Sequence, residues 1–289
     1  MRSLAPFRGP EDRVFRRGLS RDGPHVERVA AENGGARDGS PGVGSGDGPR
    51  KRGGDQVILD RVTVTGADAS VRPEDLLPLS RRFPFVEWGI LLSRSQEGLK
   101  RFPPLHWIES FFEIHPYGIS GHLCGAWVHN FCRGGNAFAI ERPTIARRFD
   151  RLQLNFHAFA HEVDAPAFAV ALKNLEPPRG YILQFDDVNN ALLSAARSGG
   201  AQTAALFDVS GGAGVLPAHW PKATEEYCGY AGGLSPENLD EQLHRIAEAA
   251  SWSRIWIDVE THVRSDDDRL FDLEKVEQFL TVARPWVAA

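Results

Sequence analysis

The chain has 289 residues, 42% of them hydrophobic, and its 33 Lys+Arg against 38 Asp+Glu leave a net charge of −5. That length allows one or two domains or a single α/β barrel, and no run approaches the roughly 18 apolar residues of a membrane span. An acidic chain with no basic block in its folded part argues against a nucleic-acid binder.

Residues 1–54 stand apart from the rest. They hold 12 of the 29 glycines and 11 Lys+Arg against 7 Asp+Glu, so the segment is +4 and the remainder is −9. Apolar periodicity is missing, and Gly34 to Gly54 is Gly/Ser/Asp/Arg low complexity. Such a stretch buries too little surface to offset the entropy of ordering it. Ser3–Phe7 is too short for a secretory h-region, and Glu11, Asp12, Asp22, Glu27 and Glu32 do not suit a transit peptide. The reading is a disordered tail over 1–54, or a start codon assigned too early, followed by one domain over 55–289. Only five of the 33 basic residues are Lys, so the arginines read as base composition rather than a phosphate device. Cys124, Cys132 and Cys228 are too few for a disulfide framework and point to a reducing cytosol.

From Val57 onward, runs rich in β-branched and aromatic residues predict eight strands: Val57–Thr65, Phe85–Leu92, Ile119–Cys124, Leu152–Phe156, Tyr181–Phe185, Thr203–Phe207, Cys228–Ala231 and Ile255–Val259. Most of the gaps show helical spacing. Arg72-Pro73-Glu74-Asp75 opens the first helix. Ser235-Pro236-Glu237-Asn238 predicts a Ser N-cap before a Pro at the first helical position, and Asp272 caps a helix running to Ala283. Strands alternating with helices argue for parallel βαβ units. Eight strands in about 230 residues match a (β/α)8 TIM barrel, and the competing doubly wound sheet lacks a G-x-G-x-x-G after its first strand. The fold class is therefore a (β/α)8 barrel behind a disordered tail.

In such a barrel the site lies at the C-terminal ends of the strands. These ends carry Thr65 and Asp68 (strand one), Arg94 (two), His122 and Cys124 (three), Asn155 and His157 (four), Gln184 and Asp186 (five), Asp208 with Gly211-Gly212-Ala213-Gly214 (six), Gly232-Gly233 (seven) and Glu260-Thr261-His262 (eight). Ala231-Gly232-Gly233-Leu234-Ser235-Pro236 reads as a strand, a glycine pair and a helix start, where backbone N–H groups can cradle an anion. Glu260 beside that loop repels phosphate unless His262 or Arg264 neutralises it. Trp88, Trp107, Trp252 and Trp256 read as wall packing, and Asp266-Asp267-Asp268 as a solvated loop.

Several of these stretches resemble phosphoribosylanthranilate isomerase of tryptophan biosynthesis. The resemblance rests on Asp208 ending strand six, the glycines 211–214, Trp220, Ala231 to Asn238, Asp258-Val259 with Val263, and Asp272-x-x-Lys275-x-x-x-Phe279. Asp150-Arg151-Leu152-Gln153-Leu154 is similar to the family's D-x-V-Q-L strand, and Thr63-Val64-Thr65-Gly66 stands in place of its K-I-C-G. The resemblance spans roughly 58–284 and is strongest over the last 80 residues. It implies an Amadori rearrangement of an aminated ribose phosphate, which requires a general acid and a general base, with no cofactor. Asp208 matches the acid. Thr65 stands where the family's Cys base does, and Asp68 is the substitute if its loop folds back. Arg94 or Arg101 would hold a substrate carboxylate. Thr261-His262 replaces the family's phosphate-contacting Ser-Gly, so the substrate is expected to differ.

Two other readings use the same strand ends. His122, Cys124, His157, Asp186 and Asp208 converge on one mouth and would suit a divalent metal. A barrel that binds phosphate ligands without turnover is the other. The expected partner is a small phosphorylated substrate, with the protein a monomer or homodimer and neither nucleic acid nor membrane involved.

Overall fold

The computed structural model describes residues 59–115, 118–155, 163–174, 180–185, 190–208, 213–223, 227–251 and 253–287. The tail expected over 1–54 therefore lies outside the described residues. Eight parallel strands, β1 (Leu59–Thr65), β2 (Val86–Leu92), β3 (Ile119–Leu123), β4 (Arg151–Leu154), β5 (Gly180–Phe185), β6 (Thr203–Asp208), β7 (Tyr227–Ala231) and β8 (Arg254–Val259), pair in sequence order and close into a barrel. Closure pairs Leu59 with Ile255 and Thr63 with Asp258.

The connections carry α1 (Pro73–Arg82), α2 (Leu105–Ile114), α3 (Ala126–Cys132), α4 (Ala137–Glu141), α5 (Pro143–Ala146), α6 (Ala165–Lys173), α7 (Asn190–Ser198), α8 (Leu239–Ala249) and α9 (Leu273–Ala283). Between β6 and β7 the described residues 213–223 form no helix. Pro73 opens α1 as expected, and the Asp272 carboxylate caps α9 by accepting from the N–H groups of Glu274 and Lys275. The start expected at Ser235 is displaced to Leu239. The Asn238 side chain explains the shift, because its amide donates to Gly233 O and its carbonyl accepts from Ser235 N, both at 2.9 Å. Those bonds hold residues 233–238 as a loop.

Alternation along the strands sorts side chains into two cores. Outward residues such as Val62, Val64, Ile90, Leu123, Leu152, Leu154, Tyr230 and Ile257 meet the inner faces of the helices in one large apolar sleeve. Inside the barrel, Ile182, Leu206, Ala231 and Trp256 form a smaller apolar cluster. The rest of the lumen is polar. Glu87, 1% exposed, accepts from Thr63 Oγ1 at 2.8 Å, from Arg61 Nη1 at 3.2 Å and from Arg151 Nε at 2.9 Å. Burial alone would raise the Glu87 carboxyl, but the two arginines outweigh it and hold it below the usual range. Arg151 lies over the Trp256 ring at 4.7 Å and so joins the two halves of the lumen.

The Trp256 indole needs space that β7 supplies at Gly229, where a Cβ would collide with the ring and sit 2.7 Å from its Nε1. Gly229→Ala should therefore destabilise the barrel by about 1–3 kcal/mol, lowering Tm by roughly 2–4 °C per kcal/mol for a domain of this size. Thermal unfolding followed by circular dichroism checks it, and an unchanged midpoint would show that the lumen is not tightly filled.

Candidate active site

The register puts two carboxyl groups at one height in the barrel mouth. Asp208 of β6 pairs with Ala231 of β7, and Ala231 pairs with Asp258 of β8. The two aspartates thus stand two strands apart, with backbones roughly 10 Å from each other. Leu206 and Trp256, two residues back on each strand, lie in the inner cluster, so both carboxyls turn inward. Gln184 Nε2 donates to Asp208 Oδ2 at 3.3 Å. Thr65 Oγ1 donates to Asp258 Oδ1 at 2.9 Å. Asp258 is 8% exposed. Burial drives its carboxyl well above the ordinary range; the Thr65 bond opposes this, while the charges of Glu260, Asp208 and Glu87 reinforce it. Asp258 therefore keeps its proton above the pH at which an ordinary carboxyl loses it.

His122 of β3 faces the same group, its Nδ1 4.0 Å from Asp258 Oδ2 and its Nε2 3.0 Å from Ser120 Oγ. Complete burial lowers its pKa to about 3, so the ring is neutral. Thr65 and His122 meet across Gly89 of β2, where a Cβ would collide with Thr65 Oγ1 and lie 2.9 Å from His122 Cε1. Gln153 Nε2 donates to Asn155 Oδ1 at 3.0 Å, and Asn155 Nδ2 lies 3.2 Å from Cys124 Sγ. Burial pushes the Cys124 thiol up to about 12, which leaves it unreactive as a nucleophile. Gln153 Oε1 is buried without a partner, an acceptor open to a ligand hydroxyl or an ordered water.

The loops after β6, β7 and β8 pack on one another as the sequence implied. Gly233 has φ +65°, and a Cβ there would strike the backbone of Val215 and Leu216. Gly214 lies against Thr261, and His262 Nε2 sits 2.9 Å from Gly214 O. Gly232 has φ +114° beside them. Gly211, Gly212, His157 and Asp186 lie outside the described residues. Among the described residues no group of three or more His, Cys, Asp or Glu side chains is arranged to hold a metal ion.

Beside these loops, across the ends of β1, β2 and β8, the rim is an ion network. Arg264, 1% exposed, donates to Gly66 O, to Asp68 Oδ2 at 2.9 Å and to Asp268 Oδ1 at 2.8 Å. Asp68 also accepts from the backbone N–H of Arg101 at 2.7 Å. Burial works against its charge, yet these bonds and that from Ser70 prevail and hold the carboxyl low. Asp68 is thus tied into the rim, in place of the free base its sequence position offered. Arg94 is largely exposed and pairs with Glu141 on α4. Glu260 pairs with Arg101 at 2.5 Å, a partner the sequence had not offered, and the charge of Arg264, which it had, adds to that neutralisation. Asp268, assigned to a solvated run, bridges Lys100, Arg101 and Arg264. The sequence placed Asp258 at the end of strand eight and in the stretch Asp258-Val259 without assigning it a role; its local signal was an acid at the end of an otherwise apolar strand.

Between the unfolded pKa of about 3.9 and the raised folded value, the unfolded chain has released the Asp258 proton and the folded chain has not. Stability therefore falls as pH rises through that window, by about 1.4 kcal/mol per pH unit. Asp258→Asn keeps the acceptor for Thr65 and removes the titration. The variant should melt above the wild type at neutral pH, with the gap closing toward about pH 4. Calorimetry across that range checks this, and a gap independent of pH would refute it.

No family model matches the chain, and no curated protein matches it. Among solved structures it is similar to phosphoribosyl anthranilate isomerase from Thermus thermophilus, at 15% identity and a TM-score of 0.38, covering 78% of this chain and 98% of that one. Nothing about activity follows from a likeness at that level, and the barrel stands on its own closed topology.

Proposed function

We propose that the barrel mouth catalyses an Amadori-type aldose–ketose isomerisation of an N-substituted pentose phosphate. The carboxyl pair Asp208 and Asp258 carries this reading: two acids turned inward at one height, one buried with its proton and the other half-buried beside Gln184. The charge of Asp208 raises the cost of ionising Asp258, so Asp258 favours its protonated form while Asp208 stands two strands away as a second carboxyl. Isomerisation needs that arrangement. One group protonates the ring oxygen as its bond to C1 breaks, and the other takes the C2 proton from the resulting iminium. The enolamine then gains a proton at C1 as its C2 hydroxyl gives one up to become the carbonyl, which yields the 1-amino-2-ketose with no atoms gained or lost.

The resemblance gives Asp208 the acid's part. The proton retained by Asp258 supports Asp258 as first donor and Asp208 as acceptor, with the roles reversed in the return step. Thr65 acts on Asp258 through its hydrogen bond as a positioning group, and Asp68 holds the rim. The joined glycine loops at 214 and 232–233, with Thr261 and His262, suit the phosphate, and Gln153 Oε1 suits a sugar hydroxyl. No described helix is long and apolar enough to cross a membrane. The three cysteines are free, which supports a reducing compartment such as the cytosol.

The test is ketose formation by the full chain on freshly prepared ribosylamine 5-phosphates, some with a neutral aryl group and some with an acidic one. At least one should turn over. Asp208→Asn and Asp258→Asn should each slow it by about 10²–10⁴ while both proteins stay folded. Absence of turnover across the panel, or full activity in either variant, would overturn the reading.

A further inference from the structure

The rim network fixes the charge that a ligand meets on the β8 side of the mouth. Arg101 is the cation of that network paired with Glu260. Its backbone lies at φ +70°, a conformation a residue with a Cβ holds only when its surroundings impose it. Bonds to three carboxylates do so here. Its N–H donates to Asp68, its Nε and Nη2 reach Asp268 Oδ1 at 3.1 and 2.9 Å, and its Nη1 reaches Glu260 Oε1 at 2.5 Å. Nη1 also lies 3.4 Å from Thr261 Oγ1. Asp68, Glu260 and Asp268 together balance Lys100, Arg101 and Arg264, so the network is neutral within itself.

We infer that Glu260 is a specificity-determining residue: by occupying Arg101 it turns away ligands with an acid on that side and admits those whose amine substituent is uncharged. Glu260 follows Asp258 by one strand period, and its Cγ lies 3.2 Å from where a Gly66 Cβ would stand, so the side chain leans over the β1 edge of the mouth. A ligand carboxylate seeking Arg101 must displace it. The displaced Glu260 would then be a half-buried charge without a partner, which is costly, and it would face the incoming anion. A neutral substituent leaves the pair intact. The inference rests on the isomerase reading for the identity of the substrate and on the ion pair alone for the sign of the selection.

The experiment is equilibrium binding to the full chain of two isosteric aryl amines, 2-aminobenzoate and 2-aminobenzamide, each followed by its own fluorescence. Wild type should bind the amide at least about tenfold more tightly than the acid. Glu260→Gln frees Arg101 and should gain about tenfold or more for the acid, with the amide unchanged. Adding Arg101→Met should erase that gain. The inference falls if wild type binds both probes alike, if a folded Glu260→Gln shows no gain, or if neither protein binds either probe. It fails separately from the isomerase reading. The expected binding pattern without turnover of any ribosylamine phosphate would sink the reaction alone, whereas efficient turnover of the acid-bearing substrate by wild type would sink the selection alone.

Discussion

Closing eight parallel strands creates a lumen that every second residue must enter, and the chemistry at the mouth follows from how that lumen is filled. One side is apolar, through Ile182, Leu206, Ala231 and Trp256. The other holds Glu87 between Arg61, Arg151 and Thr63. A buried acid of that kind is tolerated only because its partners are complete, and removing one would strand a charge. Two glycines make the filling possible. Gly229 gives way to the Trp256 ring, and Gly89 gives way to Thr65 and His122. The second concession places a hydroxyl and a neutral imidazole beside Asp258. The site is therefore built on the floor of the lumen before any loop contributes.

Above that floor, Asp208, Asp258 and Glu260 crowd into one mouth, where Asp208 raises the cost of ionising the other two and Glu260 raises that of Asp258. The protein resolves the crowding differently at each position. Asp258 keeps a proton, and Glu260 takes a cation from the β2 loop. Asp208 lies beside the Gln184 amide. Each solution opposes stability, since burial drives the carboxyls of Asp258 and Glu260 upward. Such concentrations of unfavourable charge belong at functional sites. The rim network of Asp68, Arg264 and Asp268 offsets part of that cost by fastening the β1, β2 and β8 loops together.

Much of this was legible in the sequence, for physical reasons that also mark where legibility stops. All eight strands could be read because runs such as Val86–Leu92 and Arg254–Val259 are dense in β-branched and aromatic residues. The cap at Asp272 acts within three residues and could be read as well. The start of α8 could not, because the Asn238 side chain prefers Gly233 and Ser235 to the helix it precedes. Within the site, Asp208 and the glycine loops follow from their places at strand ends. The Thr65–Asp258 bond joins residues 193 positions apart and exists only once β1 closes on β8. The choice between Arg94 and Arg101 turned on a loop conformation that local preference disfavours at Arg101. Glu87, one acid within a buried strand, gave a local signal of its own, an acid alternating with glycine in an apolar run.

Four residues of the mouth gather at one edge. Thr65, Glu260, Thr261 and His262 all lie at the ends of β1 and β8, which neighbour each other in the closed barrel. Thr65 supplies a hydroxyl donor to Asp258. Glu260 places an acid on Arg101. His262 takes room beside the phosphate loop but binds Gly214 O, drawing the β6 loop inward. The β6 and β7 ends carry Asp208, Gly214, Gly232 and Gly233. Burying Asp258 works against stability, and since an asparagine there could accept from Thr65 equally well, that bond alone does not account for an acid at this position.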